Sequence, residues 1–277
     1  MTQSLDKVVK DVMIGFPCYD NRSEVDILQE LLGSVIDPNC PVSSVEYYNG
    51  DSLIPRARNK IAERFMASDA KFLMFVDSDI VVNRHMITRL RSHNKGIVGG
   101  IYLKKKLPYS PVMNAQIAEE DGLMVMREIG TGLMMIRKDV FAAVRAANPE
   151  HDYKYDDDEP NKDTAQGHDW FRVGVRNGRY LSEDYFFCQN AGDLGIKTYL
   201  DRGVMGVHIG RMRYPTEDKQ IFEAASVILN NYNPTVPVID EVKGLVEAGQ
   251  KLLSRKDQAG EDVSLPKPKE VDLDENV

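Results

Sequence analysis

The chain has few cysteines, no excess of positive charge and no long apolar run. Its three cysteines, Cys18, Cys40 and Cys188, are far apart and form no C-x-x-C motif, so they indicate neither a disulfide framework nor a zinc site. Lys and Arg number 35 against 43 Asp and Glu, giving a formal net charge of −8. This balance disfavours broad electrostatic binding to nucleic acid or to an anionic membrane. Reduced thiols are the simplest interpretation, and we expect a cytoplasmic protein.

Apolar runs are short throughout. None approaches the ~20 residues that a membrane-spanning helix needs, and residues 1–7 lack the basic and then apolar pattern of a signal peptide. We therefore expect no membrane insertion. A chain of 277 residues is long enough for one large α/β domain with a short appendage.

Two acids end an otherwise apolar run between Phe72 and Val82. Asp77 and Asp79, separated by Ser78, follow residues that read as a strand buried on both faces. Magnesium and manganese bind carboxylate oxygens while a ligand's phosphates and water complete their coordination. The same three residues also suit a plain turn or a helix N-cap. On these residues alone, a metal site and a turn are equally good interpretations.

Strands and helices alternate in the first half of the chain, which predicts a mostly parallel sheet with ligand sites beyond the carboxyl ends of its strands. The second half predicts more extended segments and a mixed sheet. We expect strands at Val8–Phe16, Val42–Tyr48, Phe72–Val82, Gly96–Leu103, Pro111–Ala115, Leu123–Ile129, Gly132–Ile136, Lys197–Leu200 and Val204–His208, and helices at Ser23–Leu32, Pro55–Met66, Arg84–Arg91, Lys138–Ala147 and Ser182–Ala191.

Three stretches fall outside this pattern. Residues 151–168 include four consecutive acids and little to bury, which predicts a mobile surface loop, either a plain insertion or an acceptor-binding loop. We expect one domain over residues 1–235, a C-terminal helix at 236–255 and a disordered tail at 256–277.

Further candidate groups lie in the second half of the chain. Glu183 and Asp184 open a predicted helix, where acids commonly complement the helix dipole. His208 ends an apolar strand, and a histidine there is more often a satisfied core residue than a ligand. Taken singly, each group favours a structural role.

The order of these motifs is more specific than any one of them. A strand ending D-x-D, a Gly130-Thr131-Gly132 strand start, Glu-Asp with aromatics on a helix and a strand ending in His follow one another. In this order the chain resembles metal-dependent glycosyltransferases of the A-type fold (GT-A), especially inverting family 2-like members of the compact kind often carried by bacteriophage genomes. The resemblance spans about Val8 to Gly210. It implies an α/β, Rossmann-like fold whose mixed half binds the acceptor.

The resemblance also implies a donor site. It matches Asp79, His208 and Asp77 to ligands of Mn²⁺ or Mg²⁺. Of the two acids, Asp77 would be the one that also contacts the nucleotide. The donor would be a nucleotide-diphosphate sugar, with uridine diphosphate favoured. Its matched binding residues are Pro17, Tyr19, Asp20, Arg56, Arg58, Asn59, Asp77, Ser78 and Arg211, although Arg56 and Arg58 also suit solvated positions on a helix.

The same resemblance implies the catalytic and acceptor residues. Asp184 matches the general base of an inverting transfer, with Glu183 as its neighbour or the alternative base. Thr131, Gly132 and Trp170 match the acceptor side, although an aromatic before a helix is more often core. The basic runs Lys104–Lys106 and Arg211–Arg213 could steady phosphates, and for the lysines a solvated loop is the more common role.

Other functions stay open at this level. A retaining transferase, a haloacid-dehalogenase-like phosphotransferase and a non-catalytic nucleotide-sugar binder each use some of these residues. The acceptor is unidentified: a saccharide, a protein and a modified DNA base all fit the sequence.

Overall fold

The computed structural model describes residues 8–20, 22–105, 110–154 and 166–210. These residues belong to one compact unit. The predicted C-terminal helix and tail lie outside the described residues, as do Arg211 and Lys106, so the domain boundaries stay predictions.

The helices and strands follow the expected alternation through the first half. The helices are α1 (Val25–Ile36), α2 (Ile54–Ala67), α3 (Arg84–Ser92), α4 (Lys138–Ala147) and α5 (Glu183–Asp193). The strands are β1 (Val12–Cys18), β2 (Val42–Asn49), β3 (Phe72–Val76), β4 (Ile80–Val81), β5 (Ile97–Ile101), β6 (Met113–Glu120), β7 (Leu123–Ile129), β8 (Leu133–Arg137), β9 (Asp152–Lys154), β10 (Gln166–His168), β11 (Gly174–Arg176), β12 (Arg179–Leu181), β13 (Thr198–Met205) and β14 (Val207–His208).

Eight strands form the central sheet in the order β2-β1-β3-β8-β5-β13-β7-β6. The first three are parallel to one another, whereas β8 runs antiparallel to both of its neighbours. Beyond it β5 and β13 are parallel, and β7 and β6 add antiparallel pairs. Six strands, all except β8 and β7, therefore run in one direction. The expected α/β class, Rossmann-like in its first half and mixed in its second, is confirmed.

The inner strands of the sheet are buried on both faces, which explains their unbroken apolar runs. Alternate residues of β3 enter opposite layers: Met74 packs in the layer of α1 and α3, and Phe75 in the layer of α2, α4 and α5. Strands buried on both sides must be apolar at every position. The acids Asp77 and Asp79 appear only where this sandwich ends.

Several expectations about the second half were wrong. Edge strand β6 extends to Glu120, beyond the predicted Ala115, because its middle residues are exposed and carry no apolar signal. The two ends of the predicted mobile loop 151–168 are ordered, since β9 and β10 pair antiparallel there. His168 of this hairpin is buried and lies 2.6 Å from an Asp152 oxygen. Residues 155–165 lie outside the described part of the chain.

Candidate functional site

The turn after β3 is fixed by backbone hydrogen bonds from both sides. The Asp77 N–H donates to the Gly132 carbonyl at 3.2 Å, and the Ile209 N–H donates to the Asp79 carbonyl at 2.8 Å. Strand β14 pairs antiparallel with β4 and sets His208 opposite Ile80. Groups more than 125 residues apart in sequence therefore meet at one edge of the sheet.

Asp79 and His208 form the pair best suited to a metal ion. His208 Nδ1 lies 2.6 Å from the Leu103 carbonyl oxygen, and a carbonyl can only accept, so Nδ1 carries the proton. The other ring nitrogen, Nε2, lies 3.4 Å from Asp79 Oδ1: with a proton it donates to this carboxylate, and without one it offers its lone pair to a metal ion. A backbone carbonyl behind the ring is the usual support of a metal-binding histidine. Burial raises the pKa of Asp79, but hydrogen bonds from His208 and Lys105 outweigh it and hold that pKa below its ordinary value.

This donor set fits Mn²⁺ or Mg²⁺ in a site that the substrate completes. In the described ranges no group of three or more His, Cys, Asp or Glu side chains converges on one point. Asp79 and His208 would supply two donors, and diphosphate and water the others. Asp77, predicted as a third ligand, has its Oδ1 on Arg58 at 2.8 Å, which favours its other predicted role beside the nucleotide.

Arg58 joins the two acidic parts of the site. Its Nη2 binds Asp77 Oδ1 at 2.8 Å and its Nε lies 3.2 Å from Glu183 Oε1, while its side chain is 4% exposed. The guanidinium also lies over the Phe75 ring at 5.3 Å. Burial alone would lower the pKa of Arg58. The negative charges of Asp77 and Glu183 outweigh burial, so the pKa is raised above its ordinary value and the group stays charged. Arg58 Nη1 is buried and has no hydrogen-bond partner among the described residues.

Arg56, two residues earlier, points elsewhere. Its side chain is half exposed and binds Asp51 through two hydrogen bonds of 2.7 and 2.8 Å. Two residues turn an α-helix by about 200°, so the helix directs these two arginines to opposite sides. The alternative that both arginines are solvated helix residues is thus wrong for Arg58. It agrees with the exposure of Arg56.

Asp184 is the carboxyl group best placed for proton transfer. Burial, followed by the charge of Glu183, raises its pKa to about 6. Its Oδ1 accepts hydrogen bonds from the Tyr185 N–H at 2.8 Å and from the Ser182 hydroxyl. Glu183, in contrast, forms an ion pair with Arg58. The two adjacent acids at the start of α5 therefore have different environments.

Tyr102 is a site residue that the sequence interpretation missed. It follows β5, is buried, and accepts a hydrogen bond from the Gly132 N–H at 3.1 Å. Its ring packs edge-to-face on His208 with centroids 5.5 Å apart. Burial, then the charges of Asp77 and Asp184, raises its pKa well above the ordinary value. A tyrosine near the carboxyl end of the predicted strand Gly96–Leu103 was the available signal.

The glycines of the Gly130-Thr131-Gly132 segment permit this close packing. A Cβ on Gly132 would lie 2.8 Å from Asp77 Oδ2 and 2.9 Å from the Tyr102 hydroxyl oxygen. A Cβ on Gly130 would lie 2.1 Å from the same hydroxyl. Thr131 between them is buried. The segment thus lies against the acidic turn, and its contact with an acceptor stays a prediction.

The loop after β1 borders the same turn. The Ser23 hydroxyl donates to the Ser78 carbonyl at 3.3 Å, so loop and turn are in contact. Tyr19 is 60% exposed, whereas Pro17 is buried within β1. Asp20 accepts from the Arg22 N–H at 3.3 Å. A cavity of about 430 Å³ opens beside this loop, lined mostly by apolar side chains of β1, α1 and β2 together with Arg22, Ser23 and Asn49.

Two predicted binding residues are used for packing instead. Trp170 is 1% exposed and its indole N–H donates to the Phe141 carbonyl at 3.0 Å, so its ring cannot stack on an acceptor as predicted. Asn59 is buried and binds Asp169 at 2.7 Å and the Phe171 N–H at 2.9 Å. This places Asn59 away from the donor role that the resemblance implied. A larger cavity of about 580 Å³ beside β7 and the end of α5 contains none of the predicted residues.

Comparison with known proteins finds distant structural likeness only. No protein-family model and no curated protein matches the chain. Among solved structures, A197 from STIV is 15% identical with a TM-score of 0.46, over 72% of this chain and 85% of that one. GalNAc-T7, crystallised with UDP, GalNAc and Mn²⁺, is 11% identical with a TM-score of 0.42, over 79% of this chain and 48% of its own. Neither similarity assigns a role to any residue of this chain. No helix in the described ranges has the length and apolarity to span a membrane.

Proposed function

We propose that this chain is a glycosyltransferase that moves a sugar from a nucleotide-diphosphate sugar to an acceptor hydroxyl with the help of a divalent metal ion. The observation that carries the proposal is the position of Tyr102: its ring packs on His208, which faces Asp79, and the charge of Asp184 is close enough to raise the tyrosine's pKa. A cation site and a carboxylate of raised pKa are the two groups that this reaction requires. A binder without turnover would need only the first.

The donor diphosphate would lie at the edge where Asp79 and His208 meet. A bound Mn²⁺ or Mg²⁺ would there act as a Lewis acid and neutralise the charge of the leaving diphosphate. Arg58 binds Asp77 Oδ1 and fixes the position of this carboxylate, which suits a hydrogen bond to a nucleotide hydroxyl. The exposed Tyr19 and the nearby cavity offer a place for the base. Uridine is favoured by the family resemblance, and GalNAc-T7 was itself crystallised with UDP.

Asp184 would serve as the general base. The acceptor oxygen forms a bond to the anomeric carbon, the bond from that carbon to the diphosphate oxygen breaks, and the acceptor's proton passes to the Asp184 carboxylate. A pKa of about 6 makes this carboxylate a base that is ionised at neutral pH and still accepts protons well. Glu183 neutralises Arg58 and positions it. Attack opposite the leaving group inverts the anomeric configuration.

Metal-dependent binding of nucleotide sugars tests the proposal directly. A panel of donors would be titrated into wild type and Asp79→Ala with and without Mn²⁺, and hydrolysis without acceptor would be followed by release of the nucleoside diphosphate. We expect at least one donor to bind in a Mn²⁺-dependent way in wild type and to lose that dependence in the variant. Equal binding by both proteins would exclude the proposal. Phosphatase activity that Asp77→Asn abolishes would favour a phosphotransferase instead.

A further inference from the structure

Lys105 occupies the carboxylate on which the proposed metal site depends. Its Nζ forms an ion pair with Asp79 Oδ2, while His208 Nε2 faces Oδ1 of the same group. Both oxygens of Asp79 therefore already have partners. Because the pair is 37% and 40% exposed, it can be exchanged at low cost.

The segment that carries Lys105 is built against the site. The Leu103 carbonyl accepts from His208 Nδ1, and the Lys104 N–H donates to the Ser110 carbonyl at 2.8 Å. The aliphatic stem of Lys105 passes Gly210, where an added Cβ would lie 3.5 Å from Cδ. The backbone is thus held beside His208, and the flexible stem lets the ammonium group change partners.

A divalent cation and an ammonium group cannot share Asp79 without cost. A metal held by Asp79 and His208 would lie about 2 Å from the carboxylate oxygen. The positive charge of an ammonium group on the other carboxylate oxygen would then repel the metal ion, because the two charges would be a few ångströms apart in a partly buried space. Lysine is a compact charge on four rotatable carbons, so it can swing away where a bidentate arginine would resist.

We infer that Lys105 holds Asp79 in the metal-free protein and leaves it for the donor's diphosphate when the metal and nucleotide bind. This inference rests on the proposed function. It makes Lys105 a positioning residue that weakens binding of metal alone and strengthens binding of metal together with nucleotide. The two ligands then bind with positive coupling, because the nucleotide supplies the anion that accepts the displaced ammonium group.

Mn²⁺ binding, measured by electron paramagnetic resonance with and without UDP, tests this exchange without any activity assay. For Lys105→Met we expect Mn²⁺ alone to bind about two- to fivefold more tightly, since a partly exposed ion pair is worth that much. We also expect UDP to enhance Mn²⁺ affinity less in the variant than in wild type. Lys95→Met removes the same charge from an ion pair with Asp121 at the opposite end of β5 and should change neither quantity.

The outcomes separate this inference from the proposed function. If wild type binds Mn²⁺ with UDP but Lys105→Met binds Mn²⁺ alone no more tightly, the exchange is wrong and the metal site stands. If wild type binds no Mn²⁺ even with UDP, both proposals fall. Equal coupling by UDP in wild type and Lys105→Met would likewise overturn the exchange.

Discussion

His208 Nε2 lies 3.4 Å from Asp79 Oδ1 while the opposite ring nitrogen lies 2.6 Å from the Leu103 carbonyl oxygen. The carbonyl keeps a proton on Nδ1, so Nε2, which faces Asp79, is the ring nitrogen available to a cation. An imidazole and a carboxylate held this way are prepared for a cation before it arrives. A histidine that merely filled the core would need no acid in front of it.

Removal of His208 should therefore weaken the metal site rather than the fold. We expect His208→Ala to lower Mn²⁺ affinity, measured in the presence of UDP, by about tenfold or more. His85→Ala is the matched control, because His85 is exposed on α3 and is not one of the residues assigned to the site. An unchanged Mn²⁺ affinity in His208→Ala would remove this residue from the metal site.

Asp184→Asn should separate donor binding from transfer. We expect the variant to bind a nucleotide sugar as wild type does and to lose about 10²- to 10⁴-fold in transfer rate, the range typical of a lost general base. In wild type the rate should fall as pH decreases through about 6, because the protonated carboxyl cannot accept a proton. Equal transfer rates in the two proteins would exclude Asp184 as the base. So would a residual activity of Asp184→Asn that still falls as pH decreases through about 6.

The same substitution should stabilise the folded protein. A carboxyl whose pKa is raised on folding binds its proton more tightly in the folded state, so its contribution to stability is lost as pH rises from about 4 through 6. Near pH 7.5 the buried charge is a cost that the neutral amide avoids. We expect Asp184→Asn to raise Tm by about 2–4 °C, which corresponds to roughly 1 kcal/mol after allowance for partial exposure. The gain should vanish at pH 4.

Arg58→Met should destabilise the protein strongly. It would leave Asp77 and Glu183 facing each other across a partly buried space without their shared cation, a change that typically costs about 3–5 kcal/mol. Thermal unfolding would measure this cost. Arg64→Met on the same helix removes a half-exposed arginine paired with Glu46 and should cost under about 1 kcal/mol. Similar losses in the two variants would contradict the bridging role of Arg58.

Gly132→Ala should impair activity without preventing folding. The new methyl group would lie 2.8 Å from Asp77 Oδ2, so Asp77 or Tyr102 must move. Gly33→Ala places a methyl group within α1, where nothing lies within 4 Å, and should stabilise by about 0.5–1 kcal/mol. We expect transfer to fall only in Gly132→Ala, with both variants cooperatively folded. Full transfer activity in Gly132→Ala would show that the close approach has no catalytic value.

The local pattern of the sequence was enough to predict the strands buried on both faces and the acidic turn after β3. These features depend on periodicity and on residue type, which neighbours in the chain determine. The last five residues of edge strand β6 and the β9–β10 hairpin were missed for the same reason. Their stability comes from partners across the sheet and from His168 on Asp152, not from an apolar pattern of their own.

The chemistry within the site was decided by tertiary contacts. The sequence treated Arg56 and Arg58 alike, and only packing buries Arg58 between two acids 19 and 125 residues away. It named Glu183 and Asp184 together, and only the fold pairs Glu183 with Arg58 and buries Asp184, whose pKa rises as a result. The His208 tautomer depends on Leu103, and Lys105 reaches Asp79 across 26 residues. Residue types and their order thus follow from the chain itself, whereas charge, protonation and partnership depend on which groups the fold brings within a few ångströms.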